Sequence, residues 1–129
     1  MRIEHIAFNV KDPAAVAAWY RDHVGMSIER ELGGPAKTTF LAAATGHVLL
    51  EIYNNPPDRV PNYAEMDPLL FHIAFECHDV EGESRRLLAA GATVAAGLTV
   101  TPSGDRLMML RDPWGLAIQL VQRSSPMLK

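Results

Sequence analysis

His5-Ile-Ala-Phe8 recurs as His72-Ile-Ala-Phe75, and each copy opens the same succession of events. The offset between copies is 67 residues for the histidines and for Asp12 and Asp79, 66 from Gly25 to Gly91, and 68 from Glu51 to Gln119. A chance tetrapeptide would not hold register over that length, so the chain reads as a duplicated module. Each copy runs through an Asp, a helical pattern, a Gly, and strands that end in a polar residue inside an apolar run. Those polar residues are Glu51 in Val48-Leu-Leu-Glu-Ile52 and Gln119 in Leu116-Ala-Ile-Gln-Leu120.

Within the first copy, Ile3 to Val10 alternates with a period of two, which sets Ile6, Phe8 and Val10 on one face and Ile3, His5, Ala7 and Asn9 on the other. Asp12-Pro13 supplies a helix cap and a first-turn proline. Val16, Trp19, Tyr20 and Val24 then form one apolar helical stripe, and Gly25 ends it. Three strands are expected at Ser27 to Leu32, Lys37 to Ala43 and His47 to Tyr53, separated by Gly33-Gly34-Pro35 and Thr45-Gly46.

Asn54 to Pro68, with prolines at 56, 57, 61 and 68, reads as a linker without helix or ladder. The second copy then repeats the order: a strand over Leu70 to Cys77, a helix over Val80 to Ala90 capped by Asp79, and strands near Thr93 to Leu98, Arg106 to Arg111 and Leu116 to Val121. Asp112-Pro-Trp-Gly115 joins the last two as a tight turn. In the second helix Gly82 costs about 1 kcal/mol relative to Ala, and the apolar stripe rests on Leu87 and Leu88. The expected organisation is one α+β domain over residues 1–129, with module 1 at 1–54, a linker at 55–69 and module 2 at 70–123.

A chain of 129 residues with a formal charge of −3 and scattered Lys and Arg has no electrostatic footprint for nucleic acid. No apolar run approaches the roughly 20 residues needed to cross a membrane. The first residues already alternate as a strand, which leaves no room for a signal segment, so a cytoplasmic protein with a small-molecule partner is expected. The lone Cys77, beside Phe75 and Val80, reads as a packed thiol. Each half alone exposes a sheet face and two edges, so a homodimer is expected.

Strand parity sets four polar residues apart. His5, Glu51, His72 and Gln119 each lie opposite the helix-packing face of their strand. An ionised Glu among Leu and Ile is costly unless compensated, either by a bound cation or by a basic residue such as Arg106 or Arg111. Singly, a histidine at a strand start is an ordinary hydrogen-bonding residue, and Gln119 could simply satisfy backbone groups. The duplicated context is what makes the set a candidate site.

The chain resembles the vicinal oxygen chelate superfamily, which includes glyoxalase I, bleomycin-resistance proteins, fosfomycin-resistance enzymes, methylmalonyl-CoA epimerase and extradiol dioxygenases. The resemblance rests on Ile3-Glu-His5-Ile-Ala-Phe8, Ala18-Trp-Tyr-Arg-Asp-His-Val-Gly25, Leu49-Leu-Glu51, His72-Ile-Ala-Phe75 and Asp112-Pro-Trp-Gly-Leu-Ala-Ile-Gln119. It implies two tandem βαβββ modules whose sheets form a cupped, partly barrel-like mixed sheet with helices outside. It also implies a divalent metal (Zn, Ni, Co, Mn or Fe) held by His5, Glu51, His72 and Gln119, and lyase or isomerase chemistry on a small oxygen-rich metabolite.

Glu51, the only carboxylate of the four, is the candidate catalytic residue, with His47, Tyr53 and Glu76 as alternative bases. Gln119 departs from the glutamate usual at the last-strand position, and a neutral carboxamide attracts a dication less than a carboxylate does. That departure favours the alternative reading, a metal-free protein that sequesters a ligand as the bleomycin-resistance members do. A ring-cleaving dioxygenase is the third reading.

Overall fold

The structure, a computed structural model, describes residues 1–47 and 49–128. Val48, which the sequence reading placed in the Leu-rich strand before Glu51, lies outside the described residues. The chain divides into two compact units between Pro61 and Asn62.

In module 1, β1 (His5–Asn9) leads through Asp12 into α1 (Pro13–Trp19), and β2 (Ser27–Glu31), β3 (Thr39–Ala42) and β4 (Leu49–Tyr53) follow. The Asp12 carboxylate accepts from the Ala15 N–H at 3.1 Å, the expected cap. The helical stripe continues past α1 as a π-helical turn over Tyr20–Val24, which closes on Gly25 in the left-handed region at φ 81°. The sheet order is β1-β4-β3-β2, with β1 parallel to β4 and the other pairs antiparallel.

The core of this module lies between the helix and one sheet face. Phe8 pairs with Ile52, Ile52 with Thr39, and Leu41 with Leu50. All five are buried, as are Val16, Ala17 and Tyr20 of the helical segment. Burying side chains of this size contributes about 1.5–3 kcal/mol each, which holds the helix on the sheet. The other face carries His5, Ala7, Leu49, Glu51, Phe40 and Ala42, in agreement with the parity reading.

Module 2 repeats this plan with β5 (Ile73–Glu76), α2 (Val80–Ala89), β6 (Thr93–Val100), β7 (Arg106–Arg111) and β8 (Ala117–Gln122). Its sheet order is β5-β8-β7-β6, again with first and last strands parallel. Val80, Ser84 and Leu87 are the buried residues of α2, so the core stripe passes through Ser84 rather than Leu88. The Ser84 hydroxyl is satisfied there by donating to the Val80 carbonyl at 2.6 Å. Gly82 also has a reason: a Cβ at that position would stand 2.2 Å from Asp79 Oδ2, the carboxylate that caps the helix.

The stretch read as a linker is ordered on both sides of the division. Asn9 donates to the Pro56 carbonyl at 2.8 Å and accepts from the Asn55 N–H at 2.9 Å, which ties that segment to module 1. Tyr63–Glu65 forms a 3-10 turn belonging to module 2. Here the Arg111 guanidinium donates to the carbonyls of Tyr63 and Met66, each at 2.9 Å, and to that of Gly115 at 3.0 Å. Gly115 sits at φ 94°, and a Cβ there would meet the backbone nitrogen of Ala64 at 2.6 Å. The prolines exclude regular ladders but not a turn pinned by side chains.

Candidate functional site

On the open face of module 1, His5 and Glu51 meet. Register explains why: Ala7 pairs with Glu51 in the parallel β1–β4 ladder, and His5 lies two residues earlier on the same face. His5 Nε2 stands 3.0 Å from Glu51 Oε2. The Phe40 and His5 rings stand perpendicular to one another at 6.0 Å between centroids, and Phe40 is the antiparallel partner of Glu51. His5 is therefore oriented by a neighbour on each side.

The other ring nitrogen, Nδ1, contacts the carboxylate of Glu4. This hydrogen bond, reinforced by the charges of Glu4 and Glu51, raises the His5 pKa above its ordinary value and favours the imidazolium. Glu4 was missed in the sequence because period-two parity assigns it to the face opposite His5. Its carbonyl accepts from the Leu49 N–H at 3.0 Å at the start of the ladder, and its side chain turns back to the neighbouring imidazole.

The same register recurs in module 2. Ala74 pairs with Gln119, so Gln119 occupies the place of Glu51 and His72 the place of His5. His72 Nδ1 lies 2.9 Å from the Pro68 carbonyl, which only an N–H can satisfy; the proton is thereby assigned to Nδ1 and the Nε2 lone pair is left available. Met109, the partner of Gln119 in the β7–β8 ladder, stands where Phe40 stands in module 1. Among the described residues, no group of three or more His, Cys, Asp or Glu side chains stands together as a metal-holding set.

The basic residues that were alternatives for compensating Glu51 are engaged elsewhere. Arg106 pairs with Glu81, and Arg111 is bound to the three carbonyls described above. Of the alternative bases, His47 lines a hollow with Arg2, Glu4 and Glu29, and Glu76 lines another with Arg123, Met127 and Leu128. Tyr53 pairs with Asn9 at the end of β4. Burial pushes the Cys77 thiol up, which keeps it protonated and unreactive.

Comparison with known proteins supplies the family. A crystal structure of a glyoxalase family protein from Bacillus cereus superposes with a TM-score of 0.81 at 16% identity, covering 95% of this chain and 93% of that one. An antibiotic binding protein from a Streptomyces species gives 0.72 at 21% identity, covering 96% and 97%. A glyoxalase/bleomycin resistance protein/dioxygenase family enzyme from Burkholderia phytofirmans gives 0.74 at 16%, covering 95% and 98%. No curated protein matches the chain. No helix is long and apolar enough to cross a membrane among the described residues. The family model of the Glyoxalase/Bleomycin resistance protein/Dioxygenase superfamily matches residues 2–120, and with its two βαβββ modules the chain belongs to that superfamily.

Proposed function

We propose that this chain is a divalent-metal-dependent enzyme of the glyoxalase type, a cytoplasmic homodimer acting on a small oxygen-rich metabolite by lyase or isomerase chemistry. The observation that carries the proposal is the His5–Glu51 pair on an open sheet face, with Gln119 at the register position of Glu51 in module 2 and His72 one residue before β5. Two ligands in neighbouring positions of an octahedral centre with bonds of about 2.1 Å stand about 3.0 Å apart. His5 Nε2 and Glu51 Oε2 have that spacing. His72 would add a second imidazole nitrogen and Gln119 a carboxamide oxygen, donor types that suit Zn, Ni, Co, Mn or Fe.

When bound, such an ion polarises neighbouring substrate oxygens as a Lewis acid. The chain's own residues supply the rest. Phe40 and Glu4 hold the His5 ring in one orientation. Glu51, the only carboxylate of the four, is the proposed base.

The homodimer is supported by β6. It is an edge strand of eight residues, exposed along its length and without a charged residue, and it displays Val94, Leu98 and Val100. Its counterpart β2 carries Glu29, Arg30 and Glu31 along the edge, the usual guard against pairing.

A second reading, a metal-free small-molecule-binding protein, is favoured by the two carboxylates on the ring nitrogens of His5 and by the neutral Gln119. Calorimetric titration with Co(II) or Ni(II) separates the two. The enzyme reading expects stoichiometric binding that is abolished in His5→Ala and in His72→Ala and tightened in Gln119→Glu. His23→Ala, whose native ring packs on Trp19, should bind as the parent does. Equal binding by all variants, or none by the parent, would overturn the metal-dependent reading in favour of the binder.

A further inference from the structure

The two modules differ at the end of the sheet where the first and last strands finish: the hairpin there encloses residues 33–37 in module 1 and residues 102–104 in module 2. In each, a hairpin closes through one carbonyl: Leu32 N–H donates to Thr38 at 2.8 Å in module 1, and Thr101 N–H to Asp105 at 2.9 Å in module 2. The residue before the closing one is left-handed in both cases, Lys37 at φ 50° and Gly104 at φ 90°. Glycine occupies that conformation without steric conflict, whereas a lysine is strained in it. Module 1 has kept a cation where its own backbone favours glycine.

The surroundings differ in charge as well. In module 2 the cation at this end, Arg123, is satisfied internally by Asp105 at 2.8 Å, and the other Asp105 oxygen accepts from the Ser124 N–H at 2.8 Å. In module 1 a hollow of about 280 Å³ is lined by Lys11, Asp12, Pro13, Pro35, Lys37 and Asn54. Asp12 is committed to capping α1 and Asn54 donates to the Val10 carbonyl. Among the described residues neither lysine has an ion-pair partner.

We propose that Lys11 and Lys37 form an anion site in this hollow for the phosphate group of a small molecule, in which the bound anion does for the two ammonium groups what Asp105 does for Arg123. The site uses neither His5 nor Glu51 and stands or falls independently of the metal reading. Backbone bonds on both sides of Lys37, from Asn54 N–H to the Ala36 carbonyl and from Leu32 N–H to that of Thr38, hold the strained residue in place without the ligand. The site is therefore formed in advance, which lowers the ordering cost of binding.

The test is titration of the intact chain with inorganic phosphate at low ionic strength, followed by amide chemical shifts. Saturable shifts confined to residues around Lys11, Lys37 and Asn54 are expected, with affinity falling as salt rises. Each ammonium group about 4 Å from a dianion in bulk water contributes roughly a factor of thirty before salt screens it, so Lys37→Gly and Lys11→Gln should each weaken binding by about tenfold or more at low ionic strength. Lys37→Arg should keep it. Lys37→Gly should leave the melting temperature unchanged or higher, because the left-handed position then holds its favoured residue, and unfolding cannot account for the lost affinity. Shifts spread over the whole surface, absence of saturation, or equal affinity in Lys37→Gly and the parent would overturn the site.

Discussion

Replacing Gly115 with alanine should be among the most damaging single-methyl changes in module 2. Two costs can be worked from the structure. The new residue would sit at φ 94°, outside the region that L side chains favour, at about 1–2 kcal/mol. Its Cβ would also stand 2.6 Å from both Cβ and N of Ala64 and 2.7 Å from its Cα. Two of those three atoms are backbone, so the Tyr63–Glu65 turn must move away.

Moving it breaks the Arg111 bonds to the Tyr63 and Met66 carbonyls, each worth about 1.5–3 kcal/mol as bonds to a charged donor, less whatever water returns. The expected loss is about 3–5 kcal/mol, or about 10 °C or more in the melting temperature of a chain this long. Urea denaturation followed by circular dichroism measures it. Ala64→Gly in the same chain should rescue little, since it removes only the Cβ contact. Gly115→Asn, which tolerates a positive φ, should be nearly as harmful. A loss below about 1 kcal/mol, or full tolerance of the Gly115→Asn substitution, would refute the close-approach argument and leave Gly115 as an ordinary turn residue.

Gly82→Ala should fail to deliver the gain of about 1 kcal/mol usual for this change in a helix, because the Cβ displaces the Asp79 cap, itself worth about that much. In an Asp79→Ala background the gain should reappear, which a double-mutant cycle by thermal melts would register. The Asp105 carboxyl is held below the ordinary value of 3.8, first by the Ser124 N–H and then by Arg123. A depressed native value means the contribution is full above the ordinary value and is lost as pH falls through the lowered one. The stability advantage of the parent over Asp105→Asn should accordingly be constant at neutral pH and shrink as pH falls below the ordinary carboxylate range, and an advantage that grew on acidification would contradict the assignment.

What was legible in the sequence is what depends on local chain geometry. The two-residue period set His5 and Glu51 opposite Phe8, Leu50 and Ile52, and Gln119 opposite Ile118 and Leu120, because successive strand side chains must alternate. Asp12 and Asp79 marked both helix starts, because a carboxylate there satisfies amides the helix leaves unpaired. The repeat marked Glu51 and Gln119 as equivalents, and the ladders pair each with the residue two after its histidine, Ala7 and Ala74.

Contacts between residues distant in sequence were not legible, because composition does not say which atoms will approach. Arg111 looked like a possible partner for Glu51, yet three carbonyls up to 48 residues away take its donors. Lys37 reads as the first residue of a strand, yet the fold puts it in a glycine's conformation in a hollow that Lys11 also lines. Period and capping act through neighbours in the chain, whereas these pairings are set only when packing closes the distance, and tertiary structure alone decides them.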